Sequence, residues 1–422
     1  LTAVRSEEPG QSDFWIPVLC GAAILTIGIG ARQSFGIFQK PIAEDLQVGR
    51  EVWSFANALA GLVVGLLSPF VGSIADRFGA ARTVAFGGIV YVLGLVMIGL
   101  ATESTMLIAG NVVSGIGMGA AGFGPIFGAI TRRTPAEKRS MALGVTTAGG
   151  SFGQFAIVPF VSLLQARLGD WHSTMLILAG LSCVMIPLSF ALREQRTVIS
   201  GVAGPIPQGT KDAIQEALQT RGFWLLLIGF FVCGFHVTFI GLHMPAYISD
   251  KAIGLSVFGV SLSPLELGGW AIGLVGLFNI AGTLMWGWLG GHHPKKDMLA
   301  LLYALRALAF LVFLILPLSG ASVLLFSASL GFLWLGTIPL TSGLVGYLFG
   351  PTHMAMLWGL VFLSHQLGSF LGGWGPGRLY DIQGSYESMW WISIGLGIFA
   401  AVIHWLIPER PVARLRAQAA SA

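Results

Sequence analysis

The sequence predicts an all-α membrane protein whose 12 transmembrane helices form two six-helix bundles. Three observations predict it: a composition too apolar for water, a dozen continuous apolar runs, and one long polar break midway along the chain. Of 422 residues, 55% are hydrophobic and only 10% charged, where soluble domains carry about 25% charged. The mean hydropathy is +0.79. A bilayer-crossing helix needs about 20 apolar residues, and these runs are continuous rather than alternating, which disfavours a barrel. The 59 glycines suit helices that pack through small residues.

In chain order the expected spans are 15–38, 52–75, 82–101, 105–130, 140–166, 172–192, 222–248, 264–290, 298–318, 321–349, 355–379 and 388–407. The first run is too long, and lacks the small-residue pattern, for a cleaved signal. The polar stretch 193–221 holds Gly201, Gly204, Pro205, Pro207 and Gly209. It then runs from Lys211 to Leu218 with the look of a short amphipathic helix, Ile214 and Leu218 lying one turn apart. The expected division is a first bundle at 1–192, a linker at 193–221, and a second bundle with a short tail at 222–422.

Charge orients the spans. Loops 2–3, 4–5, 6–7 and 8–9 carry Arg77, Arg82, Arg132, Arg133, Lys138, Arg139, Arg193, Arg196, Lys211, Lys295 and Lys296, and the tail adds Arg410, Arg414 and Arg416. The opposite loops hold only Lys40, Arg50, Arg167, Lys251 and Arg378, several beside acids. The positive-inside rule then puts both termini and the linker in the cytoplasm of a multi-pass plasma (inner) membrane protein. The net charge of +4 is this topology signal rather than a nucleic-acid surface. Cys20, Cys183 and Cys233 are far apart, each inside an apolar run, and read as buried packing residues rather than a disulfide or metal set.

At loop 2–3 the chain reads Gly72-Ser73-Ile74-Ala75-Asp76-Arg77-Phe78-Gly79, followed by Arg82. This resembles the loop motif of the major facilitator superfamily, in which a carboxylate at a helix end pairs with arginines and holds one conformation closed. The resemblance makes Gly72, Asp76, Arg77, Gly79 and Arg82 the expected conformational switch. The matching loop of the second half is degraded: Gly287, Gly291, then His292-His293-Pro294-Lys295-Lys296. Two further stretches resemble the monocarboxylate transporter branch and its bacterial organic-anion relatives. They are Gly30-Ala31-Arg32-Gln33-Ser34-Phe35-Gly36-Ile37-Phe38, and Glu137-Lys138-Arg139-Ser140-Met141-Ala142-Leu143-Gly144 with Ala148-Gly149-Gly150-Ser151-Phe152-Gly153. The resemblance implies a major facilitator fold and alternating access. By the same matching Gln33 stands where the animal proteins have a lysine, and Asn279 and Thr283 replace the branch's Asp and Arg in helix 8. The pair used for proton-linked lactate transport is therefore missing.

Polar groups at membrane depth mark function, because burying them is costly. Arg32 lies about 25 Å along its helix from Trp15, either lining a cavity or snorkelling to the outer interface. Arg306 is read as snorkelling or packing. His236 and His243, seven residues apart, share a face of helix 7; His365 and Gln366 fall mid-depth in helix 11, with Trp358 on the same face. Asn279, Asn111 and Gln154 supply further hydrogen-bonding groups, and Trp334 and Trp358 aromatic surface. No helix core contains Asp or Glu. That disfavours organic cations, which need a buried countercharge, and favours anions. Arg32 could grip a carboxylate through two parallel bonds, and His365, His236 or His243 could carry a proton, the free imidazole titrating near about 6.5.

No nucleotide loop, metal cluster or catalytic set is recognisable, so neither an enzyme nor a bound cofactor is expected. The function expected from the sequence is secondary transport of a small organic anion by a carrier working as a monomer. It would be proton-coupled through histidine, or an anion exchanger. The alternatives are an efflux carrier for amphipathic neutral or weakly acidic compounds, and a membrane sensor, for which 193–221 is too short to form an output domain.

Overall fold

The computed structural model describes residues 14–135, 138–193, 209–257, 259–350 and 353–421. Glu137, Arg196 and the linker residues from Gly201 to Pro207 lie outside them. Helices α1 (Trp15–Gln33) and α2 (Phe35–Asp45) form span 1, which breaks at Ser34, whose hydroxyl donates back to the Gly30 carbonyl at 2.9 Å. Span 2 is α3 (Arg50–Phe78) and span 3 is α4 (Ala80–Gly99). The turn between them needs φ of +92° at Gly79, where a side chain would be strained. This is the physical reason for the last glycine of the motif. Span 4 is α5 (Ser104–Ala121) and α6 (Phe123–Arg133), parted at Gly122; span 5 is α7 (Arg139–Leu168). Span 6 comprises α8 (Trp171–Ser182), capped by the Asp170 carboxylate, and α9 (Met185–Ser189).

After α10 (Thr210–Gln219), span 7 is α11 (Arg221–Asp250). A hairpin of β1 (Leu255–Val257) and β2 (Val260–Leu262), which the hydropathy pattern does not suggest, leads into span 8, α12 (Pro264–His292). Ser263 and Glu266 form a capping box at its start. Span 9 is α13 (Lys295–Ile315), span 10 is α14 (Gly320–Phe332) with α15 (Thr337–Phe349), span 11 is α16 (Met354–Gln383) and span 12 is α17 (Glu387–Trp405). The tail ends in α18 (Ala413–Ser421). Spans 4 and 10, at corresponding places in the two halves, are both interrupted, as internal repeats in carriers often are. Eleven segments among the described residues are long and apolar enough to cross a membrane, and α16 is not one of them. Its polar run Ser364-His365-Gln366 with Ser369 is turned toward α11 and α3, while Leu367 and Leu371 of the same helix are exposed.

Three expectations need correction. Span 1 runs on to Asp45 rather than ending near 38, because α2 continues the helix past the break at Ser34. In α10 the buried pair is Ala213 and Ala217 while Leu218 is exposed, since only small side chains allow close docking beneath the second half. Of the cysteines only Cys233 is buried; Cys183 is exposed and Cys20 intermediate.

One face of the molecule carries both ends of the described chain, and the opposite, far face carries loops 1–2, 7–8 and 11–12. The two halves meet along spans 2 and 11 and along spans 5 and 8. At the far face and at mid-depth they touch backbone to side chain: a methyl added to Gly377 would strike Ser54, to Gly373 Ala58, to Gly273 Pro159 and to Gly65 Gln366. On the terminal side the same helices face open space, for nothing lies within 4 Å of a methyl built on Gly72, Gly144, Gly291 or Gly359. The apolar core follows this division. One cluster runs through the first half and across the far face, and a second is confined to the terminal side of the second half. The seam is closed at the far face and parted toward the termini.

Candidate functional site at the middle of the seam

The break in span 1 sets Arg32 in the last turn of α1. Its Nη2 donates to the Asn57 carbonyl of span 2 at 3.2 Å, and its buried Nη1 has no hydrogen-bond partner. The guanidinium is held against Gly61, where a methyl would come within 3.3 Å of Nη2. Gln366 of span 11 reaches the same glycine from the other half, its Nε2 donating to the Gly61 carbonyl at 2.6 Å. His365 lies 3.1 Å from the Gln366 amide oxygen through Nδ1, which fixes a ring hydrogen on that nitrogen. Ser369 Oγ lies 3.5 Å from the same nitrogen. The imidazole stacks on Phe362 at 5.5 Å and 7° and lies 5.0 Å from Phe230, which also meets Trp358 at 5.4 Å. Arg32 and Gln366, more than 300 residues apart in the chain, thus converge on one glycine of span 2, with His365 beside Gln366 and Trp358 beyond it against Phe230. Gln33, the next residue, points to Gly241 of span 7.

Other expected site residues gather elsewhere. Asn279 Nδ2 donates to Ser151 Oγ at 2.9 Å across the seam between spans 5 and 8, and its Oδ1 accepts from Thr283 Oγ1 and from the Leu335 backbone N–H in the break of span 10. Gln154, 2% exposed, packs on Gly276 at the same seam, its Nε2 unpartnered. Trp334 sits in the span 10 break, its indole N–H without a partner. Asn111 is fully buried within the first half and donates to the Leu107 carbonyl one turn back, so it stays with its own helix. His236 is also fully buried: Nε2 donates to the Ser393 carbonyl at 2.9 Å and the ring lies against Phe310, which keeps it inside the second half and away from the seam. A cavity of about 360 Å³ between Phe155, Pro159, Phe160, Glu266 and Trp270 lies along the other seam and is apolar. It is separate from Arg32.

Of the two readings of Arg306, packing holds and snorkelling does not. The residue is 0% exposed; Nη2 donates to the carbonyls of both Leu333 and Trp334, which the break in span 10 leaves free. Position along a helix gives depth but not rotation, and α13 turns this residue inward. Of the loop 2–3 motif, Arg77 and Arg82 are exposed on the terminal face, Arg77 against the Phe78 ring, and only the backbone of Asp76 is described.

The charged closure of the far face is the feature that the sequence reading missed. Arg50 of span 2 forms a two-pronged pair with Asp250 of span 7, at 2.6 and 2.7 Å, and stacks over Tyr380 at 3.7 Å. Lys40 lies 3.7 Å from the same carboxylate. Asp381 of span 11 accepts the backbone N–H groups of Arg50 and Glu51, capping α3 from the other half. Glu51 in turn accepts from Trp374 and Arg378. The partners lie 200 or more residues apart, so no local pattern pairs them. The one legible signal was that the few basic residues of this face sit at helix ends.

A polytopic helical carrier, with two bundles closing over a polar centre, is the class that this fold and site define. The family model described as "Major Facilitator Superfamily" matches residues 18–373 and, again, 266–421. The chain belongs to that superfamily and is one of its membrane transporters. It is 24% identical to monocarboxylate transporter 11 of Homo sapiens, over 97% of this chain and 86% of that one. It is 23% identical to the oxalate:formate antiporter of Oxalobacter formigenes, over 98% and 97% respectively. It is 24% identical to the uncharacterized MFS-type transporter YcxA of Bacillus subtilis, over 87% and 89%. Among solved structures, a bacterial homologue of the lysosomal transporter Spinster in an inward-facing, unoccupied conformation superposes with a TM-score of 0.77 at 17% identity, covering 96% of this chain and all of that one.

Proposed function

We propose that the protein carries a small organic anion, monocarboxylate-like, by alternating access through a site between Arg32 and the His365–Gln366 pair. The observation that carries this reading is the buried, unpaired Nη1 of Arg32 at mid-seam. Every acidic residue of the described spans sits in the first or last turns of its helix, so the guanidinium has no protein countercharge. A buried charge without a partner is expensive, and a substrate carboxylate would answer it with charge and geometry together. Phe362, Phe230 and Trp358 would take the apolar body of that anion. The names of the relatives, among them monocarboxylate transporters and an oxalate:formate antiporter, agree with a carboxylate substrate. On the positive-inside orientation the terminal face is cytoplasmic, in a plasma membrane, and the parted side opens inward. The exposed Arg77 and Arg82, with Gly72, Asp76 and Gly79, would close that side in the opposite state.

Thermal unfolding of the purified protein against acetate, oxalate and benzoate tests the reading. At least one should stabilise it saturably, and Arg32→Gln should remove the effect. Equal stabilisation of the variant by every acid would refute the site.

A further inference from the structure

Of the three histidines that could carry a proton, His243 alone is bonded to both halves. Its Nε2 lies 2.7 Å from the Gly373 carbonyl of span 11 and must donate to it. Its Nδ1 lies 3.1 Å from Gln39 Nε2 of span 1 and 3.2 Å from the Tyr386 hydroxyl. Gln39 also donates to Ser54 Oγ of span 2 at 2.9 Å. Arg50 Nη1 donates to Tyr386 Oη at 3.1 Å, so that hydroxyl has its hydrogen left for His243. Burial pushes the Tyr386 phenol above its ordinary range and keeps it an O–H. These contacts define a neutral imidazole, hydrogen on Nε2, 1% exposed.

A second proton on Nδ1 would meet the amide hydrogens of Gln39 and a hydroxyl already committed to Arg50. Turning the amide over would answer the hydrogen bond but not the charge. The charged and titratable groups around the ring are Lys40 on span 1, Arg50 and Glu51 on span 2, Tyr247 and Asp250 on its own helix, Tyr380 and Asp381 on span 11, and Tyr386 and Glu387 at the start of span 12. The nearest carboxylate, Asp250, is already held by both Arg50 and Lys40, and Asp381 and Glu51 are held by backbone N–H groups, Trp374 and Arg378. None is left to face an imidazolium.

We propose that His243 is a proton-binding site that couples protonation to opening of the far face: the closed seam excludes the second proton, and parting the halves removes Gln39 and Arg50 and admits it. Whatever binds one state only shifts the equilibrium toward that state. Acid on the far side therefore favours the state open to that side, as inward proton coupling requires. The proposal rests on the alternating-access reading and on no particular substrate.

The test uses full-length protein in lipid nanodiscs, native cysteines replaced by serine, with spin labels at Thr102→Cys and Lys251→Cys, on exposed far-face loops of opposite halves. Electron–electron distances are measured from about pH 8 to about pH 5, a range that brackets the free imidazole. The ratio of long to short distances should rise by up to about tenfold per pH unit below about 6.5, and His243→Gln should abolish the rise. Arg50→Gln should open the face at every pH, showing that the labels report opening and that alternating access stands even if the coupling does not. A wild-type pH response surviving in His243→Gln, or absent while Arg50→Gln opens, overturns the proposal. Should His243→Gln not fold, Gln39→Glu decides: a carboxylate beside Nδ1 lets the closed state take the proton, so the response should flatten, and an unchanged response overturns the proposal equally.

Discussion

The two halves each bury an arginine at membrane depth, and they use it in opposite ways. Arg32 ends α1 beside a break in its own helix, spends one nitrogen on the Asn57 carbonyl and leaves Nη1 unpaired where the halves meet. Arg306 lies inside the second half and spends Nη2 on two carbonyls released by a break in a different helix. Its charge is answered in part by the negative end of α14, whose last carbonyls point at it. The same signal in a hydropathy plot thus falls on the proposed anion site in one half and on a splint for an interrupted helix in the other. What separates them is place rather than satisfaction: Arg306 also keeps Nε and Nη1 buried without a partner, but inside one half, whereas Arg32 lies where the halves meet.

The comparison can be broken in order of expected effect. Arg306→Gln should cost about 2–5 kcal/mol, because two buried carbonyls lose their donor. Thermal unfolding in detergent reads this, and a midpoint like the wild type would show that Arg306 is no splint. Arg32→Gln should leave the midpoint within about 2 °C while weakening any stabilising carboxylate at least about tenfold, about 1.4 kcal/mol. A variant that unfolds early but still binds would reverse the assignment of the two arginines. Gly61→Ala is the mildest. Its methyl would stand 3.3 Å from Arg32 Nη2, and displacing the guanidinium by a few tenths of an ångström should weaken anion binding by about 2–5-fold, about 0.5–1 kcal/mol, with no loss of stability.

Much of this architecture is legible without coordinates, for a plain reason. A span is a local property, so apolar runs place the helices within a few residues, and loop charge orders them. The breaks in spans 4 and 10 were not legible, because Gly122 and the stretch 333–336 lie in continuous apolar sequence and only tertiary contacts reveal where the helix parts. Arg32, His365 and Gln366, on which the proposed site rests, drew notice because polar groups at membrane depth are anomalous wherever they lie. His236 and Asn111 raised the same alarm, yet they point into their own bundle, since the sequence does not fix the rotation of a helix. The far-face pairs escaped altogether. Arg50 sits next to Glu51 in the chain, whereas its partner Asp250 comes from the other half.

The docking of α10 bears on how the carrier is assembled. Ala217 is fully buried in the second half's own cluster, and Glu216 pairs with Arg414 at 3.3 Å, so the helix and the tail are fastened to that half. Whatever swings during turnover, residues 210–219 ride with spans 7 to 12, and the covalent tether between the moving bodies is confined to what precedes them. A gene split between codons 193 and 209, expressed as two polypeptides, should therefore still give a carrier that co-purifies as one particle.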